Sequence, residues 1–199
     1  MGKIFFWAGK SSSGKDTIYR SLLEGERLGL IKLIPYTTRP IRAGEMNGRE
    51  YFFTEEAGLE KLRESGRVIE ERVYHTYHGP WYYFTVDDGQ LDLAKRDYLM
   101  IGTLESFLAI RKYVGGGSIV PLYIEVDDGE RLQRALDRER KQEKPKYEEM
   151  CRRFLADCED FSEEKIAEAG IEKRFQNNSL AVCLEEVKDY HRDRKGAGE

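Results

Sequence analysis

At 199 residues the chain can bury one proper core and carry an insert or lid, but hardly two independent domains. Hydrophobic residues at 40% and charged residues at 35% are the composition of a globular fold, and the formal net charge of −4 speaks against an extended nucleic-acid surface. No apolar run reaches membrane-spanning length. The apolar stretch from Ile4 to Ala8 runs straight into glycine-rich sequence, without the longer apolar region of a secretory signal, so a cytoplasmic location is expected.

In chain order, Ile4 to Ala8 predicts a short buried strand, and Ile18, Leu22 and Leu23 predict a helix that breaks near Gly25. Leu30 to Tyr36 is strand-like. The segment from Thr37 to Gly89, rich in Tyr, Phe, Arg and Gly, carries a hairpin signal around His78-Gly79-Pro80. Tyr98 to Ile101 and Ile119 to Val126 are further apolar strands. Between them Leu104, Phe107, Leu108 and Ile110 fall at helical spacing, and Gly115 to Ser118 punctuates the unit. Alternating strand and helix predict an α/β fold with a parallel sheet covered on both faces. Arg131 to Pro145 is densely charged. Cys151 and Cys158 share an apolar helical stripe with Tyr147, Met150, Phe154, Leu155 and Phe161, which predicts buried thiols; with Cys183 they form no zinc-like spacing.

Gly9-Lys10-Ser11-Ser12-Ser13-Gly14-Lys15 follows a strand and precedes a helix, the context that a GxxxxGK phosphate loop requires. Glycines let the backbone fold with its N–H groups inward, the helix N-terminus adds a favourable dipole, and Lys15 reaches the β- and γ-phosphates of a nucleotide. Asp16 stands where Ser or Thr usually follows the lysine, with Thr17 next. A carboxylate there is a hard oxygen ligand for Mg²⁺, directly or through water.

The segment Thr37-Thr38-Arg39-Pro40-Ile41-Arg42-Ala43-Gly44-Glu45-Met46-Asn47-Gly48-Arg49-Glu50-Tyr51-Phe52-Phe53 resembles the TTRxxRxGExxGxxYxF signature of guanylate kinases. The resemblance implies a P-loop kinase: a central parallel sheet flanked by helices, a small mixed-sheet insert that binds the acceptor, and a helical lid. Its expected boundaries are a core of 1–36, 90–130 and 160–195, an insert of 37–89 and a lid of 131–159. It also implies Mg²⁺-dependent transfer from ATP to GMP, with Arg39, Arg42, Glu45 and Tyr51 at the acceptor. Guanidinium forks match phosphate geometry, and a phenol adds one donor. In Val68-Ile69-Glu70 the resemblance assigns Glu70 to the guanine base, and in Tyr82-Tyr83-Phe84-Thr85 it assigns Tyr83 to phosphate and Thr85 to guanine O6. An alternative register through Tyr77-His78-Gly79-Pro80 keeps the family's glycine and loses both contacts.

Arg138, Arg140 and Arg153 match the family's lid arginines, within a cluster that includes Arg134 and Arg152, and Asn177 occupies a place that contacts the ATP base. No nucleic-acid or membrane partner is expected, and the chain is expected to be a monomer or homodimer. Two family features are missing: Pro35 replaces a base-contacting serine, and Leu99-Met100-Ile101-Gly102-Thr103 lacks an Asp-x-Asp pair. Ribose 1,5-bisphosphate kinases also resemble this chain in carrying Gly-Lys-Asp and no Asp-x-Asp, which makes that sugar phosphate the alternative acceptor. A third alternative is a phosphopeptide-binding domain of the same family, against which Lys15 argues.

Overall fold

The structure is a computed structural model that describes residues 2–24, 29–42, 44–76 and 79–196. Strands β1 (Ile4–Ala8), β2 (Leu30–Lys32), β7 (Asp97–Ile101), β8 (Ile119–Glu125) and β9 (Arg174–Gln176) form a five-stranded sheet in the order β2-β7-β1-β8-β9. This is the central parallel sheet expected from the strand–helix alternation, and it is flanked by helices. A separate four-stranded mixed sheet has the order β4-β3-β6-β5, from β3 (Tyr36–Thr37), β4 (Phe52–Phe53), β5 (Val68–Thr76) and β6 (Gly79–Val86). The helices are α1 (Lys15–Glu24), α2 (Glu56–Glu64), α3 (Leu104–Val114), α4 (Asp128–Arg140), α5 (Tyr147–Asp160), α6 (Glu163–Glu168) and α7 (Leu180–Gly196). No helix among the described residues is long and apolar enough to cross a membrane.

Two compact units divide the chain, one of residues 1–4, 31–100 and 105–119, the other of 5–30, 101–104 and 120–199. Within the first unit Tyr113 of α3 donates to Asp87 at 2.6 Å, and the Lys3 N–H donates to Asp97 at 2.8 Å. The mixed sheet builds its core on one face. Alternate β6 residues Phe84 and Val86 pack with Leu59 of α2, while Tyr36, Leu62, Val68 and Tyr82 close the edges. Period-two alternation then places Tyr83 and Thr85 on the opposite face.

Three expectations change. The strand expected from Leu30 to Tyr36 is two strands in two sheets. Pro35 brings no N–H to a ladder, and the Ile34 backbone is held by Gln90, which accepts from its N–H at 3.1 Å and donates to its carbonyl at 3.2 Å. The expected apolar stripe along α5 is core only at its end: Phe161 is buried, but Cys151 is exposed, Leu155 is 69% exposed and Phe154 lies under a guanidinium. Cys158 is half-buried, and only Cys183 is a buried thiol, pushed up to about 11 by burial and then by Glu186. Third, the alternative register through Tyr77 and His78 falls outside the described residues. Within them Tyr83 and Thr85 pair with Arg72 and Glu70 across the β5–β6 hairpin, so the first register is the one that points a tyrosine and a hydroxyl at the same face as Glu70.

Candidate active site

Polar chemistry concentrates in two clusters, one in each compact unit. In the second unit β1 delivers the chain into the phosphate loop. Gly9 (φ 152°) and Gly14 (φ 83°) take backbone conformations that side chains resist, and Ser12 does so at φ 64° despite its side chain. Left-handed non-glycine backbone costs on the order of 1–2 kcal/mol and persists where the surroundings impose it, commonly at ligand sites. A Cβ on Gly9 would sit 2.5 Å from the Ile124 carbonyl oxygen, so the loop can pass this close to β8 only as glycine. The hydroxyls of Ser12 and Ser13 are buried with no hydrogen-bond partner among the described residues, an arrangement that suits a group rich in hydrogen-bonding oxygens. Lys15 rests with its ammonium 3.5 Å from the Lys10 carbonyl, and Lys10 itself pairs with both oxygens of Asp128 at 3.2 Å.

Helices α4 and α5 brace this loop. Arg131 is fully buried. Its guanidinium lies 4.0 Å over the Phe154 ring and donates to Asp128 (3.0 Å), Asp157 (3.3 Å) and the Ser11 carbonyl (3.4 Å). Asp157 also accepts the Ser11 N–H at 2.8 Å, and Arg153 reaches the Ser11 hydroxyl at 3.3 Å. Sequence reasoning missed Arg131. A single arginine spaced one helical turn before the buried Ala135 was the available signal, hidden among its charged neighbours. Arg138 and Arg140 lie on the exposed side of α4. Arg140 is 3.8 Å from Asp137, and among the described residues no hydrogen bond or ion pair holds the Arg138 guanidinium. Asn177, expected at the ATP base, is buried, and its amide donates to the Ser13 carbonyl at 2.8 Å, which places it against the phosphate loop. Arg134 donates to the Asn177 carbonyl at 3.2 Å.

Asp16 and Thr17 are exposed in the first turn of α1, where the helix dipole favours an acidic group. The Asp16 carboxylate makes no hydrogen bond or ion pair among the described residues. Together with burial, its charge raises the pKa of the Tyr19 phenol. No group of three His, Cys, Asp or Glu fit to hold a metal ion occurs among the described residues. An open carboxylate beside the phosphate loop nevertheless fits Mg²⁺, which takes one or two protein oxygens and completes its shell from phosphates and water.

The second cluster lies on the mixed sheet, within the first unit. Arg39 is 3% exposed. Its two terminal nitrogens bond Glu45 in a fork, both at 2.9 Å, while Nε donates to the Tyr83 hydroxyl at 3.1 Å and the guanidinium sits 5.5 Å over the Tyr51 ring. Burial weakens the Arg39 charge, but Glu45 and Tyr83 outweigh it and hold the guanidinium above its ordinary pKa. In return the Arg39 hydrogen bonds hold the Glu45 carboxyl below the usual carboxylate range. Glu45, expected at the acceptor, also accepts the Arg42 N–H at 2.8 Å and so ties the signature loop together. The Arg42 side chain is exposed and, among the described residues, unpaired. Tyr51 meets Tyr83 edge-on at 5.6 Å, and burial first, then Tyr83, raises its pKa.

Deeper on the same face, Glu70 and Thr85 stand directly opposite one another, and the Thr85 hydroxyl donates to Glu70 Oε1 at 2.6 Å. A register shift between Val68 and Glu70 turns the glutamate to this face. Arg72, two residues along β5, was not anticipated. It donates to Glu70 through Nε at 3.0 Å and through a terminal nitrogen at 3.3 Å.

A family model described as guanylate kinase matches residues 2–87. The chain is 39% identical over 79 residues to a guanylate kinase of Chromohalobacter salexigens, a match spanning 39% of this chain and 36% of that protein. Against a guanylate kinase of Syntrophomonas wolfei it is 29% identical over 123 residues, 61% of each chain. The crystal structure of guanylate kinase from Anaplasma phagocytophilum superposes with a TM-score of 0.64, covering 96% of this chain and 85% of that one, at 18% identity.

Proposed function

We propose, from the premise that this chain belongs over residues 2–87 to the guanylate kinase family, that it transfers the γ-phosphoryl group of ATP to the phosphate of GMP or dGMP. The observation that carries the acceptor is the buried Glu70–Thr85 pair beside the Arg39–Tyr83 contact. A carboxylate accepts from guanine N1–H and the 2-amino group, a pair of donors that adenine does not present, and a hydroxyl suits O6.

Arg42, exposed and without a side-chain hydrogen bond among the described residues, grips the acceptor phosphate together with Arg39 and the phenols of Tyr51 and Tyr83. Glu45 keeps Arg39 charged and aimed. On the donor side the loop from Gly9 to Thr17 cradles the polyphosphate with the amides that Asp157, Lys10 and Gly14 do not already occupy and with the hydroxyls of Ser12 and Ser13, and Lys15 leaves the Lys10 carbonyl for the β- and γ-oxygens. Arg153 approaches from α5, and Arg138 and Arg140 join it from α4 when the lid closes over the transferring group. Mg²⁺, when bound, would supply neutralisation of phosphate charge, and Asp16 is the residue that would hold it. Phosphoryl transfer needs little acid–base chemistry, so positioning and charge neutralisation are what these side chains contribute.

Coupled ADP release across GMP, dGMP, IMP, AMP, CMP, UMP, dTMP and ribose 1,5-bisphosphate tests the proposal. GMP and dGMP should give the highest kcat/KM. Turnover of ribose 1,5-bisphosphate without GMP would replace the nucleotide by the sugar phosphate.

A further inference from the structure

Glu70 is a carboxylate whose hydrogen-bonding capacity can be counted. Two oxygens offer about four lone-pair positions in all. Oε1 takes the Thr85 hydroxyl at 2.6 Å and an Arg72 terminal nitrogen at 3.3 Å, which fills it. Oε2 takes Arg72 Nε at 3.0 Å and keeps one position. Guanine presents two adjacent donors to a carboxylate, N1–H and the 2-amino group, and needs one position on each oxygen.

We infer that Arg72 is a specificity-determining residue: its fork on Glu70 leaves the base-facing carboxylate one open position, so the site accepts a single purine donor unless Arg72 lets go. This rests on Glu70 facing the acceptor base, as proposed above. The Arg72 side chain is 11% exposed and that of Glu70 3% exposed, so water screens the pair little and the fork is costly to open. Strand geometry fixes the competition. Glu70 and Arg72 are separated by two along β5 and project to one face, opposite Thr85 and Tyr83 respectively, so the guanidinium has no need to leave the face to reach the carboxylate. GMP therefore gains little from its 2-amino group, and the chain discriminates weakly between GMP and IMP, which keeps N1–H and O6 but lacks that group.

The test is steady-state kinetics with GMP and with IMP, for the unaltered chain and for Arg72→Ala. Arg72→Ala should raise the GMP over IMP preference in kcat/KM by about tenfold, the worth of one more hydrogen bond to a charged group, through KM rather than kcat. Should the alanine variant fail to fold, Arg72→Gln carries the same test, with a preference shifted in the same direction. If the unaltered chain turns over GMP and neither variant changes the preference, the inference is overturned while the GMP assignment stands. A chain inactive on GMP whose Arg72 variant gains GMP turnover would uphold Arg72 as the discriminating residue and overturn GMP as the native acceptor. Inactivity of both on GMP would overturn both.

Discussion

Asn177 donates its side-chain amide to the carbonyl of Ser13 at 2.8 Å, tying the end of β9 to a loop that lies 164 residues earlier in the chain. The same amide nitrogen is 2.3 Å from where a Cβ on Gly14 would stand, so the loop and its support fit only with glycine there. Replacing Asn177 by Ala leaves a buried carbonyl unpaired and frees the loop to shift. Its KM for ATP should rise about tenfold, the cost of one buried unsatisfied acceptor, with the GMP KM little changed. Equal effects on both substrates would show that Asn177 supports the whole fold rather than the loop.

The Lys15 ammonium has one hydrogen-bond partner among the described residues, the Lys10 carbonyl, so its loss removes a single long hydrogen bond from the resting structure. Lys15→Ala should lower kcat by on the order of 10²–10³-fold with a melting temperature close to that of the unaltered chain. A variant that kept most of its rate would remove Lys15 from the transfer step.

The acceptor loop should respond to acid. Glu45 has its pKa lowered from its ordinary 4.5, first by the Arg39 hydrogen bonds and also by the Arg42 N–H. A depressed carboxyl pKa contributes stability that is present above 4.5 and lost as pH falls through the lowered folded value. Glu45→Gln removes that dependence and leaves a buried guanidinium half-paired, costing about 3 kcal/mol. Denaturant titrations at pH 7 and in the acid range should show the variant less stable at pH 7 and the difference shrinking in acid. A gap that stayed constant would mean the fork carries no charge-dependent stability.

Asp16→Asn tests the metal. The Mg²⁺ concentration for half-maximal rate should rise severalfold while the acceptor KM holds, because one charged oxygen ligand becomes neutral. An unchanged magnesium titration would leave Asp16 as a helix-start residue acting on the dipole alone.

Strand–helix alternation was enough to read the central sheet, and the glycine-rich stretch marked the strained loop between β1 and α1, because both depend on local pattern. The signature segment likewise named Arg39, Arg42 and Tyr51. What it could not supply was pairing. Glu45 and Arg39 are six apart with a turn between them, and nothing in their spacing says that the acid braces the arginine instead of facing a substrate. Arg72 was illegible for the same reason: that it shares a face with Glu70 follows from their spacing of two on β5, but nothing in that spacing says the guanidinium forks onto the acid. The α5 stripe misled because helical periodicity marks an apolar face without showing what covers it, and Cys151 stands exposed on it.

Glu70 carries the central claim, that the buried face opposite Thr85 reads guanine. The most direct measurement is kcat/KM of Glu70→Gln with GMP and with AMP. An amide offers one acceptor oxygen and turns an N–H₂ toward a donor, so GMP should lose about 1–3 kcal/mol more than AMP. Equal losses for the two nucleotides would contradict the account, leaving Glu70 as a support for Arg72 and Thr85 and the acceptor's base unread by it.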